Sequence, residues 1–474
     1  MDSKNNLTEF LLAAGVAAAS ATLVRFSTGL HPIWWLTWFA LIPVLWFSAR
    51  ASGWMSFSVS AVAWFAGSLG WWHYLHTVVE IPLSACFLAL AVPALMLAFA
   101  VLFWRRLLSR ERIWAAAVSL PAALVSVGFV QQLTSPHSTF GNLAYSQMDF
   151  LPLIQIASLT GIWGITFFLL LLPSVFAVFL CRKSAARGVA TAALAAVVMV
   201  LGFGFWRLHA PGGATGMIHA QLMTNDAKGE SYSEKDARSL ELLRKYTASE
   251  KARDAELILI PEKIARFSAN GSEEARNLLR DDAKSKQAFV LAGLDEQHGG
   301  DRRNAALLFA PDGTLQVDYD KHHFVPNIEI GYLTGTDYSV VQQASGLWGV
   351  AICKDMDFPA MGRQYGNRGV GVMLVPAWDF TDDDWYHARM AILRGVESGF
   401  SIARSAKRGL LTVSDNRGRI LLEKPGSFSG MVSVEALVPV AHATTLYARW
   451  GEWFPVLCMP AFLYCLIACF RKPD

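Results

Sequence analysis

The sequence predicts a multi-span α-helical membrane domain joined to a layered α/β domain, and three observations carry that prediction. Of its 474 residues, 53% are hydrophobic and 17% charged, with 17 tryptophans, which is too apolar for an ordinary soluble enzyme. The apolar residues concentrate in roughly the first two hundred positions and the last twenty-five. Between these regions the pattern changes to short β-rich runs separated by charged amphipathic helices. The boundaries that follow are 1–206 for a transmembrane domain of about seven helices, 207–449 for the α/β domain, and 450–474 for a closing helix with a short cytoplasmic tail.

A bilayer span needs about 20 mostly apolar residues. Stretches of that kind lie at 8–24, 32–49, 54–73, 81–104, 113–133, 162–181, 188–206 and 450–470. Lys4 precedes the first, which runs directly into further apolar segments without a small-residue cleavage site, so it reads as an uncleaved helix. Basic residues are retained on the cytoplasmic side. Arg50, then Arg105, Arg106, Arg110 and Arg112, then Arg182, Lys183 and Arg187, and finally Arg471 and Lys472 fall on one face if the N-terminus is inside, with Arg25 the main exception. The α/β domain is thereby expected on the outer face. The loop SPHSTFGNLAYSQMDFLPLIQIASLTG between the fifth and sixth spans carries aromatic and leucine residues suited to the headgroup boundary, as a connector or as part of a lipid entrance.

In the α/β domain the expected strands are MIHAQLM, ELILIPE, FVLAGLDE, AALLFAPDG, LWGVAICKD, VGVMLVPAWD, FSIARSA and LLTVSDNRG. SEKDARSLELLRKYTASEKARD and DDWYHARMAILRGVESG show apolar residues at helical spacing. Continuous apolar runs imply sheets covered on both faces.

The net charge of +3, without a basic stripe interleaved with aromatics, argues against a nucleic-acid partner. Cys86, Cys181, Cys458, Cys465 and Cys469 lie in or beside apolar segments, and Cys353 alone belongs to the polar domain. One cysteine excludes both a disulfide framework and a CxxC zinc site there. His73, His76, His322 and His323 lack a carboxylate or cysteine at ligand spacing, so no metal site and no cofactor are expected.

Three polar residues stand at the ends of buried-looking strands, where α/β enzymes place their sites: Glu262, Lys321 and Cys353. Each alone has an ordinary explanation, a solvated acid, a solvated lysine or an inert hydrophobe. Their surroundings ILIPEK, YDKHHFVP and GVAICKDMDFP, in that order, resemble the Glu, Lys and Cys motifs of the nitrilase superfamily. MLVPAWDFTDDDWYHARMAILRGVESGFSIARSAKRG is similar to that family's segment after the nucleophile. With several spans before it and one after, the chain resembles the superfamily's membrane branch, the apolipoprotein N-acyltransferase family, including in FGNLAYSQMDFLPLIQIASLTGIWGITFFLLL. Glu329 matches a second family glutamate in K-x-H-x-V-P-x-x-E.

The resemblance implies a nitrilase-like αββα sandwich on a helical membrane domain in the bacterial inner membrane, acting as a monomer. It implies Cys353 as nucleophile, Glu262 as general base and acid, and Lys321 as the cation for the oxyanion, with help from the Lys354 N–H. The implied donor is a phospholipid acyl ester and the implied acceptor a diacylated lipoprotein. Glu329, Lys354 and Asp355 are supporting candidates. The chain departs from the family where Lys354 and Asp355 replace Tyr and Glu, at Asn327-Ile328 before Glu329, and at Lys407 and Arg408. For Lys354 three roles stay open: lowering the thiol's pKa, binding phosphate, or facing solvent. A membrane amidase or lipid hydrolase using the same residues, a divergent transferase with another amine acceptor, a silent lipid-binding scaffold and a transporter are the alternatives; few ionisable residues inside the spans speak for the last.

Overall fold

A computed structural model describes residues 2–210, 216–226, 235–298, 300–426 and 430–471. The chain forms two compact units. One comprises Met1–Ser135, Gly141–Leu208 and Glu452–Asp474, and the other Pro136–Phe140 and His209–Gly451.

Six helices in the first unit are long and apolar enough to cross a membrane, among the described residues: Leu7–Ser27, Leu83–Ser109, Ile113–Thr134, Ile162–Cys181, Arg187–His209 and Trp453–Phe470. The other two expected spans take a different form. The second breaks into a 3₁₀ turn, Trp34–Trp38, and a seven-residue helix, Ile42–Ser48, that opens with a proline. The third is the 16-residue helix Gly53–Ser68, capped by the Ser52 hydroxyl and continued by short 3₁₀ and π turns. Apolarity alone does not reveal such breaks, because a broken helix buried among neighbours can be as apolar as a straight one.

Ile113–Thr134 and Ile162–Cys181 form the centre of this unit, 67% and 61% buried, against 22% for Arg187–His209. Small residues allow the close packing, as where a Cβ on Gly67 would lie 2.5 Å from Val24. Trp104 Nε1 donates to Ser174 Oγ (3.0 Å), and Ser174 in turn donates to the Ala117 carbonyl (2.9 Å), so these buried polar groups are paired. The basic loops meet at one end: Arg105 bonds the Ala51 carbonyl, Arg106 the Cys469 carbonyl, Arg110 the Arg471 carbonyl, and Arg182 the Glu111 carboxylate. Lys472 lies outside the described residues.

In the second unit the strands are β1 Gly216–Asp226, β2 Leu257–Leu259, β3 Arg266–Phe267, β4 Phe289–His298, β5 Asp301–Phe309, β6 Leu315–Asp320, β7 Val340–Gln343, β8 Gly346–Val350, β9 Val372–Trp378, β10 Ser401–Lys407, β11 Leu410–Ser414, β12 Ile420–Pro425 and β13 Gly430–Val440. One sheet runs β13-β1-β2-β4-β5-β6 with β3 beside β4; the other runs β12-β11-β10-β9-β8-β7. Parallel pairing holds the centre of each sheet, β1-β2-β4 and β8-β9-β10, with antiparallel strands flanking it.

Strand alternation builds the layers. Leu257, Leu259, Leu291, Ala306 and Leu308 face a core shared with Val350, Leu374 and Ile402 of the other sheet. Ile258, Ile260, Val290, Ala305 and Leu307 face Leu240, Leu243 and Leu279 on helices Asp236–Thr247 and Ala269–Lys286. Helices Pro359–Asn367 and Asp384–Ser398 contribute Met361, Tyr365 and Ala391 to the core of the second sheet. This is the expected αββα sandwich. The start of the helix expected from Ser233 lies outside the described residues, and its described part begins at Asp236.

Candidate active site

The three expected residues each follow a core strand. Glu262 comes after β2, where its N–H donates to the Ala377 carbonyl at the end of β9 (3.3 Å). Gly293 on β4 lies so close behind it that a Cβ there would be 2.5 Å from the Glu262 Cα. Lys321 directly follows β6, and its N–H donates to the Asn304 carbonyl (3.0 Å). Cys353 opens a 3₁₀ turn, Cys353–Asp357, just past β8, with φ of 41°; Lys263, beside Glu262, has φ of 42°. Left-handed backbone is uncommon outside glycine and is held here by the strands on either side.

The side chains of Glu262, Lys321 and Glu329 converge. Lys321 Nζ donates to Glu262 Oε1 and to Glu329 Oε2, both at 2.8 Å. Asn304 Nδ2 donates to Glu262 Oε1 (2.6 Å) and Glu329 Oε1 (2.9 Å), and Lys263 Nζ donates to Glu329 Oε1 (2.7 Å). Burial opposes charge on Lys321, yet Glu262 and then Glu329 outweigh it and lift its pKa well above the usual lysine value. For Glu329 burial again opposes charge, but Lys321 and Lys263 hold the carboxyl down at about 2.

Cys353 is half-buried, and its thiol donates weakly to the Trp378 carbonyl (3.6 Å). Burial first, then the Glu262 charge, pushes the thiol well up, with Lys321 opposing them. Behind it the buried Asp379–Arg404 pair is bidentate, with one bond at 2.9 Å and the other at 2.5 Å. A thiol held up in this way is protonated at neutral pH and needs a base to become a nucleophile.

The supporting candidates take definite places. Glu329 is buried in the charge cluster, not solvated. Asp355 is fully buried and accepts from the N–H groups of Ile352, His322 and His323 and from the Tyr319 hydroxyl, tying the lysine loop to the cysteine turn. Lys354 does not face solvent: it is buried and pairs with Asp357 at 3.2 Å. The largest electrostatic influences on Cys353 come from Glu262, Lys321, Asp379 and Arg404. Burial resists charging Asp357, yet Lys354 and His387 hold it well below the usual carboxylate range, and Asp383 and Asp357 overcome burial to push His387 up to about 10. Of the two residues that depart from the family at 407–408, Arg408 is exposed, whereas Lys407 is buried with its ammonium 4.3 Å from the Trp378 ring centre.

Residues 136–140 of the long loop pack within this unit. The Thr139 hydroxyl donates to the Asp357 carbonyl (3.2 Å), and the Phe140 ring lies against Tyr386 and His387. Among the described residues no group of three or more His, Cys, Asp or Glu side chains could hold a metal.

Sequence reasoning missed Lys263, Asn304, Trp378 and the Asp379–Arg404 pair. One signal was there: Asn304 is the single amide of β5, directly before its apolar run Ala305–Phe309.

Residues 20–175 match the family described as apolipoprotein N-acyltransferase N-terminal domain, and residues 220–423 match carbon-nitrogen hydrolase. The chain is 26% identical to the apolipoprotein N-acyltransferase of Geobacter metallireducens, over 94% of this chain and 92% of that one. It is 27% identical to that of Rhodopseudomonas palustris, over 90% and 86%. A solved mutant of the amidase from Nesterenkonia sp. AN1, with acrylamide added at its active-site cysteine, is 22% identical and covers 46% of this chain and 93% of that one, with a TM-score of 0.40.

Proposed function

This chain belongs to the apolipoprotein N-acyltransferase family, and from that premise we propose that it moves a fatty acyl group from a phospholipid, through a thioester on Cys353, to the N-terminal amine of a diacylglyceryl-cysteine lipoprotein. The observation that carries this reading is the convergence of Glu262 and Lys321 at 2.8 Å, with both charges acting on the Cys353 thiol.

Glu262 takes the thiol proton as sulfur attacks the ester carbonyl. The oxyanion forms near the Lys321 ammonium and the Lys354 N–H, where fixed positive charge is worth most in a water-poor site. The C–O bond breaks, Glu262 returns its proton to the departing lysophospholipid oxygen, and the acyl group remains on sulfur. The lipoprotein amine then loses a proton to Glu262 and attacks the thioester; the C–S bond breaks and the thiol is restored. Glu329 holds Lys321 through a second carboxylate contact on the same ammonium. Asp355 fixes the two loops that carry Lys321 and Cys353.

Both substrates keep acyl chains in the bilayer, and drawing either into water costs about 0.8 kcal/mol per exposed CH₂. A membrane-anchored enzyme avoids that. The basic loops gathered at one end of the helical unit support a cytoplasmic end there and an outer-face catalytic unit. The full chain, purified with phospholipid, is expected to gain one acyl mass on the Cys353 peptide and to pass it to a diacylated lipopeptide. Cys353→Ala abolishes both steps. Release of free fatty acid with no lipopeptide product would make the chain a hydrolase instead.

A further inference from the structure

Two carboxylates, Glu262 and Glu329, share the single ammonium of Lys321, each at 2.8 Å, inside a site with almost no water access. Asn304 bridges their Oε1 atoms but carries no charge. Left there, the cluster would hold one net negative charge in a low-dielectric setting, and one carboxyl would retain a proton. Lys263 removes that imbalance. It follows Glu262 directly, turns back through its left-handed φ of 42°, and places its ammonium 2.7 Å from Glu329 Oε1. The same ammonium lies 5.4 Å from the Tyr332 ring centre and 5.6 Å from that of Trp378, whose carbonyl accepts the Cys353 thiol.

We infer that Lys263 is a positioning residue of the reaction: it supplies the second cation of a neutral four-charge cluster, which lets Glu329 hold Lys321 without drawing the proton-accepting capacity away from Glu262. This rests on the roles proposed above for Glu262, Lys321 and Cys353. Lys407 meets the Trp378 ring at 4.3 Å, and Lys321 and Lys263 are the cations that hold Glu329. Asp295 faces Glu329 and is itself engaged by Arg302 and Arg266. Asp379 and Arg404 face the thiol and neutralise each other. Tyr332 donates to Asp295. With Lys263 present, Glu329 sits far below the ordinary glutamate range, as a carboxylate between two ammonium groups must.

The test is the pH dependence of Cys353 alkylation by iodoacetamide, followed by mass on the Cys353 peptide of the full chain in nanodiscs. It needs no lipid donor or acceptor, so it stands apart from the transfer assay. Lys263→Met leaves two carboxylates facing one ammonium, and the acid limb of the rate is expected to move up by about one pH unit, a tenfold fall on that limb, with little change at the alkaline plateau. Lys263→Arg keeps the charge and is expected to keep the parent profile. The double variant Lys263→Met, Glu329→Gln removes one charge of each sign and should return the limb towards the parent position; it also serves if the single variant is too unstable to purify. A Lys263→Met profile that overlays the parent, a uniform loss of rate at every pH, or a double variant shifted as far as the single one would each overturn the inference. Transfer activity that fails while the limb still shifts would count against the proposed reaction only.

Discussion

The Asp355 carboxylate accepts from Ile352 N, His322 N, His323 N and the Tyr319 hydroxyl, at distances of 3.0, 3.1, 2.9 and 2.7 Å. Removing a buried acceptor leaves every one of those donors unsatisfied. Asp355→Ala is therefore expected to lower stability by about 3 kcal/mol or more, read by denaturant unfolding, and to weaken acyl-adduct formation on Cys353. His387 makes a pH prediction. Its folded pKa of about 10 lies above the ordinary 6.5, so the stability it lends is fully present below pH 6.5 and is lost as pH rises towards 10. Thermal unfolding of the parent and of His387→Gln should differ most near pH 6.5 and converge by about pH 10. Glu329 behaves oppositely: its contribution is present above pH 4.5 and disappears as pH falls towards 2. At this scale Glu262, Lys321 and Cys353 were legible because each carries a recognisable local motif. Lys263 was not, since a lysine next to a glutamate normally reads as solvated, and only its buried bond to Glu329 says otherwise.

Among elements, β4 does more for the site than its apolar sequence suggests. A Cβ on Gly293 would meet the Glu262 Cα at 2.5 Å and the Pro261 carbonyl oxygen at 2.7 Å, both backbone atoms that cannot swing aside. Gly293→Ala is expected to displace Glu262 and cut transfer by about tenfold or more, a loss in kcat rather than KM, because a misplaced base slows the chemistry without changing lipid contacts. The strands β1, β2, β4, β5, β8, β9, β10 and β11 were readable from their apolar runs, whereas β13, which adds Val432, Val438 and Val440 to the core between the sheets, was not. Strand β12 was not, since it lies on a sheet edge with most of its residues exposed and shows no alternation. Helix Ala269–Lys286 escaped for a related reason: its buried stripe is small, with Ala275, Leu279 and Ala283 among polar neighbours. The turn at Cys353 read as the end of a strand, while its φ of 41° makes it a sharp elbow.

For the molecule as a whole, the sidedness of the α/β unit has a direct measurement. In a Cys353→Ala background, Asp312→Cys, at the exposed position of the Pro311–Gly313 turn, should react with a membrane-impermeant maleimide in cells whose outer membrane has been permeabilised. Ser184→Cys, in the exposed basic loop, should react only after the inner membrane is opened. The reverse pattern would turn the chain over. Hydropathy and charge order along the sequence determined by themselves that the protein has a helical membrane part, an α/β part and a thiol, carboxylate and lysine motif set, because apolar span length, strand period and local motif are all properties of contiguous residues. Only the tertiary structure decided which spans are continuous helices, that Lys354 turns away to Asp357, and that a second lysine balances the second glutamate. Those outcomes depend on which groups from distant segments share one dry volume, and there the pairing of charge, not position along the chain, sets what each residue can do.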